Sequence, residues 1–228
     1  MLQPGASLPE VERVPAPWSL RGHAWIVLVR LPRSAVATTA FVPPALQDTV
    51  RSPLSALMCV EYLEAPCGPY RELLFIPGAM RFPDGRWHPS ISRILVSTWV
   101  SVVNGRANWG IPKDRADFFF ESSPGGDRIR LVDDGSEFCR LEFGRPRGPR
   151  LPLATALLPS RLTRLAQLHE GRAFYYQPRA RGSMRFCRLR DWRFDARLFP
   201  DLSHARVVAC ARVEQFAMTF PPASVSGA

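Results

Sequence analysis

Residues 102–120 read V-V-N-G-R-A-N-W-G-I-P-K-D-R-A-D-F-F-F, and they contain Lys113, the only lysine of the chain. All other residues among the 30 Lys plus Arg are arginine. A lysine amine can lose its proton and attack a carbonyl carbon, whereas a guanidinium stays protonated and offers no such nucleophile. A single lysine among arginines therefore indicates one of two things. Either Lys113 takes part in chemistry, or a lysine without a function has been retained by chance on an exposed loop.

The local pattern around Lys113 predicts how the chain runs there. A short helix is expected over residues 100–106, and Gly110 and Pro112 should end it, so Lys113 should lie on an irregular segment or at the start of a strand. Downstream, S-P-G-G-D and D-D-G-S are strong hairpin turn signals. They predict a β-meander of three strands, over residues 116–121, 128–132 and 138–143.

Short strands dominate the rest of the prediction. They cover residues 23–31, 54–63, 70–76, 91–99, 173–178, 183–189 and 205–220. One longer helix is predicted within residues 152–170, where leucines recur at helical spacing, with Pro159 at its first turn or at a kink and the part before it as a loop. About nine short strands with few helices indicate an α+β, mainly β fold. Its antiparallel sheet is expected to curl into a cone- or barrel-like structure, because exposed sheet edges must be protected. Such barrels often hold a pocket.

Length and composition are those of a globular protein. At 228 residues, with 46% hydrophobic and 22% charged content, the chain fits a single domain over residues 1–228, with tails at 1–16 and 222–228. The start lacks the pattern of a secretory signal, and no apolar run is long enough for a membrane span. Five cysteines without a C-x-x-C pair indicate reduced thiols. We therefore expect a soluble, cytoplasmic protein without a membrane partner.

The net charge of +10 raises the question of nucleic acid. Seven arginines between residues 179 and 197 alternate with Phe186, Trp192 and Phe194, a composition typical of a groove that binds single strands. The same pattern fits two strands with arginine on their solvent faces. Because charge describes association and not chemistry, we disfavour nucleic acid as a partner.

Neither a metal nor a cofactor is predicted. The four histidines are scattered without the spacing of metal ligands. The sequence also lacks a nucleophile elbow, a P-loop and a dinucleotide fingerprint.

Two glutamates join Lys113 as candidates for chemistry. Glu61 and Glu72 lie on predicted neighbouring strands, and all three residues have apolar neighbours in the sequence. Removal from water disfavours the charged form of an amine and of a carboxylate, which would leave the amine nucleophilic and an acid protonated. The alternative is that each glutamate pairs with an arginine on a hydrated strand face.

The order of short motifs resembles the acetoacetate decarboxylase family. The motifs are V-P-P-A-L at 42–46, V-E at 60–61, P-Y-R-E at 69–72, G-R at 105–106 and W-G-I-P-K at 109–113, followed by a late alternating strand that ends at Pro221. They span most of the chain. The resemblance implies the fold of that family, and an oligomer of identical chains.

The resemblance also implies roles for individual residues. Lys113 would form a Schiff base with a β-keto acid, the small-molecule substrate, with Glu61 and Glu72 as acid/base and positioning groups. Activation of that lysine is a known property of the family and is not deduced from this sequence. The substrate carboxylate would meet an arginine near Arg21, or otherwise Arg30. Trp109 and Arg106 are the remaining candidates for substrate binding.

One departure from the family pattern leaves the reaction open. Decarboxylases proper have a second lysine directly after the first, where this chain has Asp114. Members of the wider superfamily use the same lysine for aldol and dehydration chemistry on keto acids. The sequence therefore predicts a decarboxylase first, an aldolase or dehydratase second, and a barrel that only binds a small ligand as the alternative from another class.

Overall fold

The computed structural model describes residues 7–32, 36, 40–51 and 54–227, and strands dominate them. The strands are β1 (Trp18–Arg30), β2 (Ser55–Glu64), β3 (Tyr70–Ile76), β4 (Ala79–Arg81), β5 (Trp87–Pro89), β6 (Arg93–Val96), β7 (Lys113–Arg115), β8 (Asp117–Ser123), β9 (Gly126–Asp133), β10 (Ser136–Gly144), β11 (Arg147–Ala154), β12 (Leu165–His169), β13 (Arg172–Tyr176), β14 (Arg179–Phe186), β15 (Leu189–Phe194), β16 (Arg206–Phe220) and β17 (Ser224–Gly227). The helical segments are α1 (Trp99–Trp109), a short helix Ser160–Thr163, and 3₁₀ turns at Pro44–Thr49 and Thr155–Leu157.

An eight-stranded sheet organises the molecule. Its strand order is β11-β14-β16-β1-β2-β3-β6-β7, and a four-stranded sheet, β15-β10-β9-β8, is the next largest. All pairs in the large sheet are antiparallel except β6 with β7, which run parallel. The predicted mainly β fold with an antiparallel sheet is confirmed. The edge strands β11 and β7 do not pair, so the curled sheet is not a closed barrel.

The large sheet has two buried faces, because alternate side chains of a strand point to opposite sides. One face, here the cavity face, carries Trp18 and Leu20 from β1 and packs with α1. The other, here the sandwich face, carries Trp25 and Val27 from the same strand and packs against the four-stranded sheet. Every polar residue on these strands is therefore directed to one of two different environments.

Helix α1 leads directly into β7 and sets the position of Lys113. The Thr98 side chain caps its first turn by accepting a hydrogen bond from Ser101 N at 3.3 Å. Gly110 ends it in the left-handed region with φ of 64°, which glycine adopts without strain. The predicted short helix over residues 100–106 and its end at Gly110 are confirmed, with one more turn in total.

The helix predicted over residues 152–170 is wrong. The chain there continues β11 to Ala154, makes a 3₁₀ turn and a four-residue helix, and then forms β12. Pro152 is the Cα partner of Ser183 in a strand pair, and Pro159 blocks helix propagation ahead of Ser160. Of the leucines at helical spacing, Leu158, Leu162 and Leu165 line a cavity, whereas Leu157 is exposed and Leu168 packs against the core of the sandwich face.

The two predicted tails turn out differently. Residues 224–227 form β17, which pairs with β13, so the prediction of a tail over 222–228 is wrong for them. Near the N-terminus the chain lies as a strap on α1, because Asn104 accepts from Val14 N at 2.7 Å and donates to Glu12 O at 2.9 Å. No helix among the described residues has the length and apolar character that a bilayer crossing requires.

Candidate active site

The cavity face encloses a cavity of about 310 Å³. Its walls come mainly from strands β1, β2, β3, β6 and β16, with α1 and the segment around the short helix closing other sides. The lining is apolar apart from a few groups, and Lys113 and Glu72 are its charged members. Trp109, predicted as a substrate-binding residue, lines the cavity and donates its indole N–H to Pro221 O at 2.7 Å.

Lys113 occupies the first position of β7 with only 3% of its surface exposed. Its Nζ donates to Glu72 Oε2 and to Ser101 Oγ, each at 3.0 Å. The amine also lies 5.0 Å from the ring centroid of Tyr70 and 6.0 Å from that of Trp18. The only lysine of the sequence is therefore contacted by a carboxylate, a hydroxyl and two aromatic rings at the wall of an apolar cavity.

Gly105 provides the space that the lysine side chain occupies. A Cβ atom on this helical residue would come within 2.6 Å of Lys113 Cδ and 2.8 Å of its Cε. The G-R pair was visible in the sequence, but the reason for its glycine was not. Only the packing of α1 on β7 shows why a larger side chain does not fit at position 105.

Glu72 receives donors on both carboxylate oxygens. Tyr62 donates its hydroxyl to Oε1 at 3.2 Å, while Lys113 is at Oε2. Burial, followed by the negative charge of Glu72, raises the pKa of Tyr62 and of Tyr70 well above the usual value of tyrosine. Both hydroxyls therefore stay protonated and available as donors. Sequence reasoning missed Tyr62 and Ser101, because a hydroxyl on a strand or helix gives no local signal of its partner.

Asp114 points away from the amine. It lies on the sandwich face, where its carboxylate accepts from Arg93 at 2.7 Å and from Arg106 at 3.3 Å. Arg106 in turn donates to the backbone oxygen of Lys113 at 2.8 Å. Arg106, predicted to bind substrate, therefore contacts the backbone of β7 and does not line the cavity.

Glu61 is not brought to Lys113. It is the Cα partner of Arg71, one register position from Glu72, so its side chain lies on the opposite face of the sheet. There it accepts from Arg71 Nε at 3.1 Å. Glu61 therefore forms the ion pair with an arginine that the sequence offered as the alternative. Glu72 instead faces the lysine.

The predicted arginines for a substrate carboxylate lie elsewhere. The side chain of Arg21 is 69% exposed, 3.6 Å from Glu64, and it follows Leu20 on β1, so it points away from the cavity. Arg30 is exposed at the far end of the same strand. Within the described ranges, no arginine lines the cavity.

The described residues contain no cluster of three or more His, Cys, Asp or Glu side chains arranged for a metal ion. What the site offers instead is an amine, a carboxylate and the three hydroxyls of Tyr62, Tyr70 and Ser101 beside an apolar cavity. This set can bind a carbonyl compound, move a proton between amine and carboxylate, and exclude bulk water.

Comparison with known proteins rests on structure alone. No protein-family model matches the sequence, and no curated protein is detectably similar to it.

Several solved structures share the fold. The acetoacetate decarboxylase from Legionella pneumophila subsp. pneumophila str. Philadelphia 1 is 11% identical, with a TM-score of 0.69 over 98% of this chain and 92% of that one. An acetoacetate decarboxylase-like enzyme from Sphingomonas wittichii RW1 is 14% identical, with a TM-score of 0.68 over 100% and 97% of the two chains. The enduracididine biosynthesis enzyme MppR, complexed with pyruvate, is 15% identical, with a TM-score of 0.61 over 93% and 91%. The acetoacetate decarboxylase-like fold implied by the motifs is therefore confirmed.

Proposed function

We propose that this protein is a Schiff-base-forming lyase that decarboxylates a β-keto acid through an imine on Lys113. One observation carries the proposal. The only lysine of an arginine-rich chain is buried at an apolar cavity, with its Nζ 3.0 Å from a buried carboxylate. A structural cation at this position could as well be arginine, whereas imine formation requires an amine.

The first step forms the imine. Lys113 passes a proton to Glu72, and the freed lone pair attacks the substrate ketone carbon. The former carbonyl oxygen then takes up two protons, one that Glu72 returns and one that Glu72 transfers from the attacking nitrogen. It leaves as water, and a protonated C=N bond remains. Ser101 holds the amine on one side, and the Tyr62 hydroxyl keeps the carboxylate in place.

The second step breaks the carbon–carbon bond. The bond to the carboxylate carbon cleaves, carbon dioxide leaves, and the electron pair moves into the protonated imine to give an enamine. The dry lining favours this step, because a carboxylate stripped of its hydration disperses its charge as carbon dioxide forms. A proton is then added to the enamine carbon, and water hydrolyses the imine to release a ketone and restore Lys113.

Aldolase or dehydratase chemistry on keto acids is the second candidate. The specific observation that favours it is Asp114, which stands where decarboxylases proper have a second lysine and which binds Arg93 and Arg106 on the other face of the sheet, so that Lys113 has no second amine beside it. MppR, which shares the fold at a TM-score of 0.58, has been solved with the condensation product of pyruvate and imidazole 4-carboxaldehyde. In the corresponding reaction of this protein, the enamine on Lys113 would attack the carbonyl carbon of an aldehyde instead of taking up a proton.

Borohydride trapping tests the shared first step. The protein is incubated with acetoacetate or pyruvate and reduced, and the peptide that contains Lys113 is weighed. We expect the mass of the reduced adduct on Lys113 and none on a Lys113→Arg variant, which keeps the charge facing Glu72 but has no attacking amine. Absence of an adduct across a panel of keto acids would contradict the proposal.

Product analysis separates the two reactions. Acetoacetate with a labelled carboxylate should release labelled carbon dioxide at a rate above the spontaneous one if the enzyme decarboxylates. Pyruvate with an aldehyde should instead give a condensation product without loss of carbon dioxide if the second candidate is correct.

A further inference from the structure

We infer that the substrate of this site carries a long apolar group beyond its reacting carbonyl, such as the acyl chain of a 3-oxo acid, and no second charged group. This inference rests on the proposed function, because it concerns the same cavity. It is carried by the dimensions, the charges and the opening of that cavity, and not by the lysine.

The apolar wall is long. Glu72, Leu74 and Ile76 follow one another on the cavity-facing side of β3 and all line the cavity. At about 3.3 Å per residue, this wall reaches about 13 Å along the strand from the carboxylate. Met58 is the Cα partner of Leu74, and Ile26 is the partner of Met58, so the wall is three strands wide. A three-carbon keto acid would fill only its first part.

The volume supports the same conclusion. The cavity of about 310 Å³ is roughly twice the ~150 Å³ that holds a benzene ring in an apolar protein interior. It falls at the lower end of the range of about 300–1,000 Å³ typical of ligand sites. A ligand of the size of acetoacetate would leave much of this apolar surface uncovered.

The charges of the lining are already balanced. Lys113 and Glu72 pair with each other at 3.0 Å, and they are the charged side chains that line the cavity within the described part of the chain. A charge at the distal end of the substrate would be taken out of water without a partner, which is strongly unfavourable. A methylene group in the same position would gain from burial.

The opening of the cavity is apolar as well. Leu158 and Leu162 line the cavity and are nevertheless 47% and 59% exposed, so they mark where it meets solvent. Exposed leucines at such a rim allow an apolar chain to enter without crossing a polar barrier. Leu157 is 81% exposed and does not line the cavity, which makes it a matched control on the same segment.

A chain-length series tests the inference. Acetoacetate, 3-oxohexanoate, 3-oxooctanoate and 3-oxodecanoate are each titrated and trapped on Lys113 with borohydride, and their half-saturating concentrations are compared. We expect apparent affinity to rise by about fourfold for each buried methylene until the cavity is filled. 3-Oxoadipate has the same six carbons as 3-oxohexanoate, with a carboxylate in place of the terminal methyl group. Its half-saturating concentration should be at least tenfold higher than that of 3-oxohexanoate.

Two variants place the effect at the opening. Leu162→Asp should reduce the preference for 3-oxodecanoate over acetoacetate by at least tenfold, because the chain must pass a carboxylate. Leu157→Asp adds the same charge outside the cavity and should leave that preference within twofold of the wild type. Equal effects of the two variants would overturn the inference.

The outcomes distinguish this inference from the proposed function. Adducts that form equally well with acetoacetate and 3-oxodecanoate would overturn the inference and support the Schiff base. If no compound forms an adduct, the proposed function fails, and binding of 2-decanone against 2-butanone, measured by calorimetry, decides the inference. Preference for 2-decanone would support an apolar substrate class, and equal binding would overturn it.

Discussion

The two faces of the large sheet carry the same kinds of charge in opposite settings, both on the hairpin β2–β3 and on β7, which β6 separates from that hairpin. On the cavity face, Lys113 and Glu72 meet in an apolar enclosure with 4% and 5% of their side chains exposed. On the sandwich face, Asp114 bridges two arginines, and Glu61 pairs with an Arg71 side chain that is 36% exposed. In the proposed function, the cavity face carries the nucleophile and its proton acceptor, and the ion pairs of the sandwich face hold strands together.

The difference shows that a shift of one residue along a strand decides which of the two faces a side chain reaches. Glu61 and Glu72 lie one register step apart, as do Lys113 and Asp114, so each pair is divided between the two faces. A register slip of one residue would exchange them. It would place Asp114 at the cavity and bury Lys113 among arginines, which removes the proposed chemistry altogether.

The largest effect is expected when each of the two glutamates is replaced by glutamine in a separate variant. Glu72→Gln should slow adduct formation with acetoacetate by roughly 10²–10⁴-fold, because the amine loses its proton acceptor. Glu61→Gln should change the rate by less than about threefold, since that carboxylate does not face the amine and an exposed ion pair contributes only about 0–1 kcal/mol. The rates are measured by mass spectrometry after timed addition of borohydride.

Thermal unfolding is the control for this pair of variants. Both proteins must show a single cooperative transition for the rates to be compared. Equal slowing by Glu61→Gln and Glu72→Gln would contradict the division of labour between the faces.

Gly105→Ala should give the next largest effect. The added Cβ would meet Lys113 Cδ at 2.6 Å and displace the amine from Glu72 and Ser101, and misplacement by about 1 Å can cost up to about 10²-fold in rate. Alanine also favours a helix over glycine by about 1 kcal/mol, so stability need not fall with the rate. Ala107→Gly, on an exposed position of α1, is the control, and it should lower stability without slowing trapping.

Asp114→Asn should affect stability more than chemistry. It removes charge from hydrogen bonds to Arg93 and Arg106, and a hydrogen bond with a charged partner contributes about 1.5–3 kcal/mol. We therefore expect a loss of about 2 kcal/mol in urea unfolding and a trapping rate within about threefold of the wild type. A rate change above tenfold would mean that this carboxylate acts on the amine after all.

The sequence was sufficient for the local elements and for the one residue that stands out chemically. Apolar runs on either side of a turn predicted β2 and β3, alternation predicted β16, and Gly110 with Pro112 predicted the end of α1 before Lys113. The sequence could not assign Glu61 and Glu72 to different faces, because both have apolar neighbours and the direction depends on strand register. It also failed over residues 152–170, where leucines at helical spacing lie on a strand, a turn and a short helix and do not share one face.

The smallest effect is expected at Arg21, the residue that the family resemblance assigns to the substrate carboxylate. Its side chain is 69% exposed, lies 3.6 Å from an equally exposed Glu64, and points away from the cavity. Arg21→Ala should therefore change the half-saturating concentration of acetoacetate by less than twofold and stability by less than about 0.5 kcal/mol. A guanidinium that bound the carboxylate would contribute about 1.5–3 kcal/mol, so its loss would raise that concentration by at least tenfold. A rise of that size would mean that the substrate contacts Arg21 on the opposite side of β1, and the assignment of one face to chemistry and the other to structure would then be wrong.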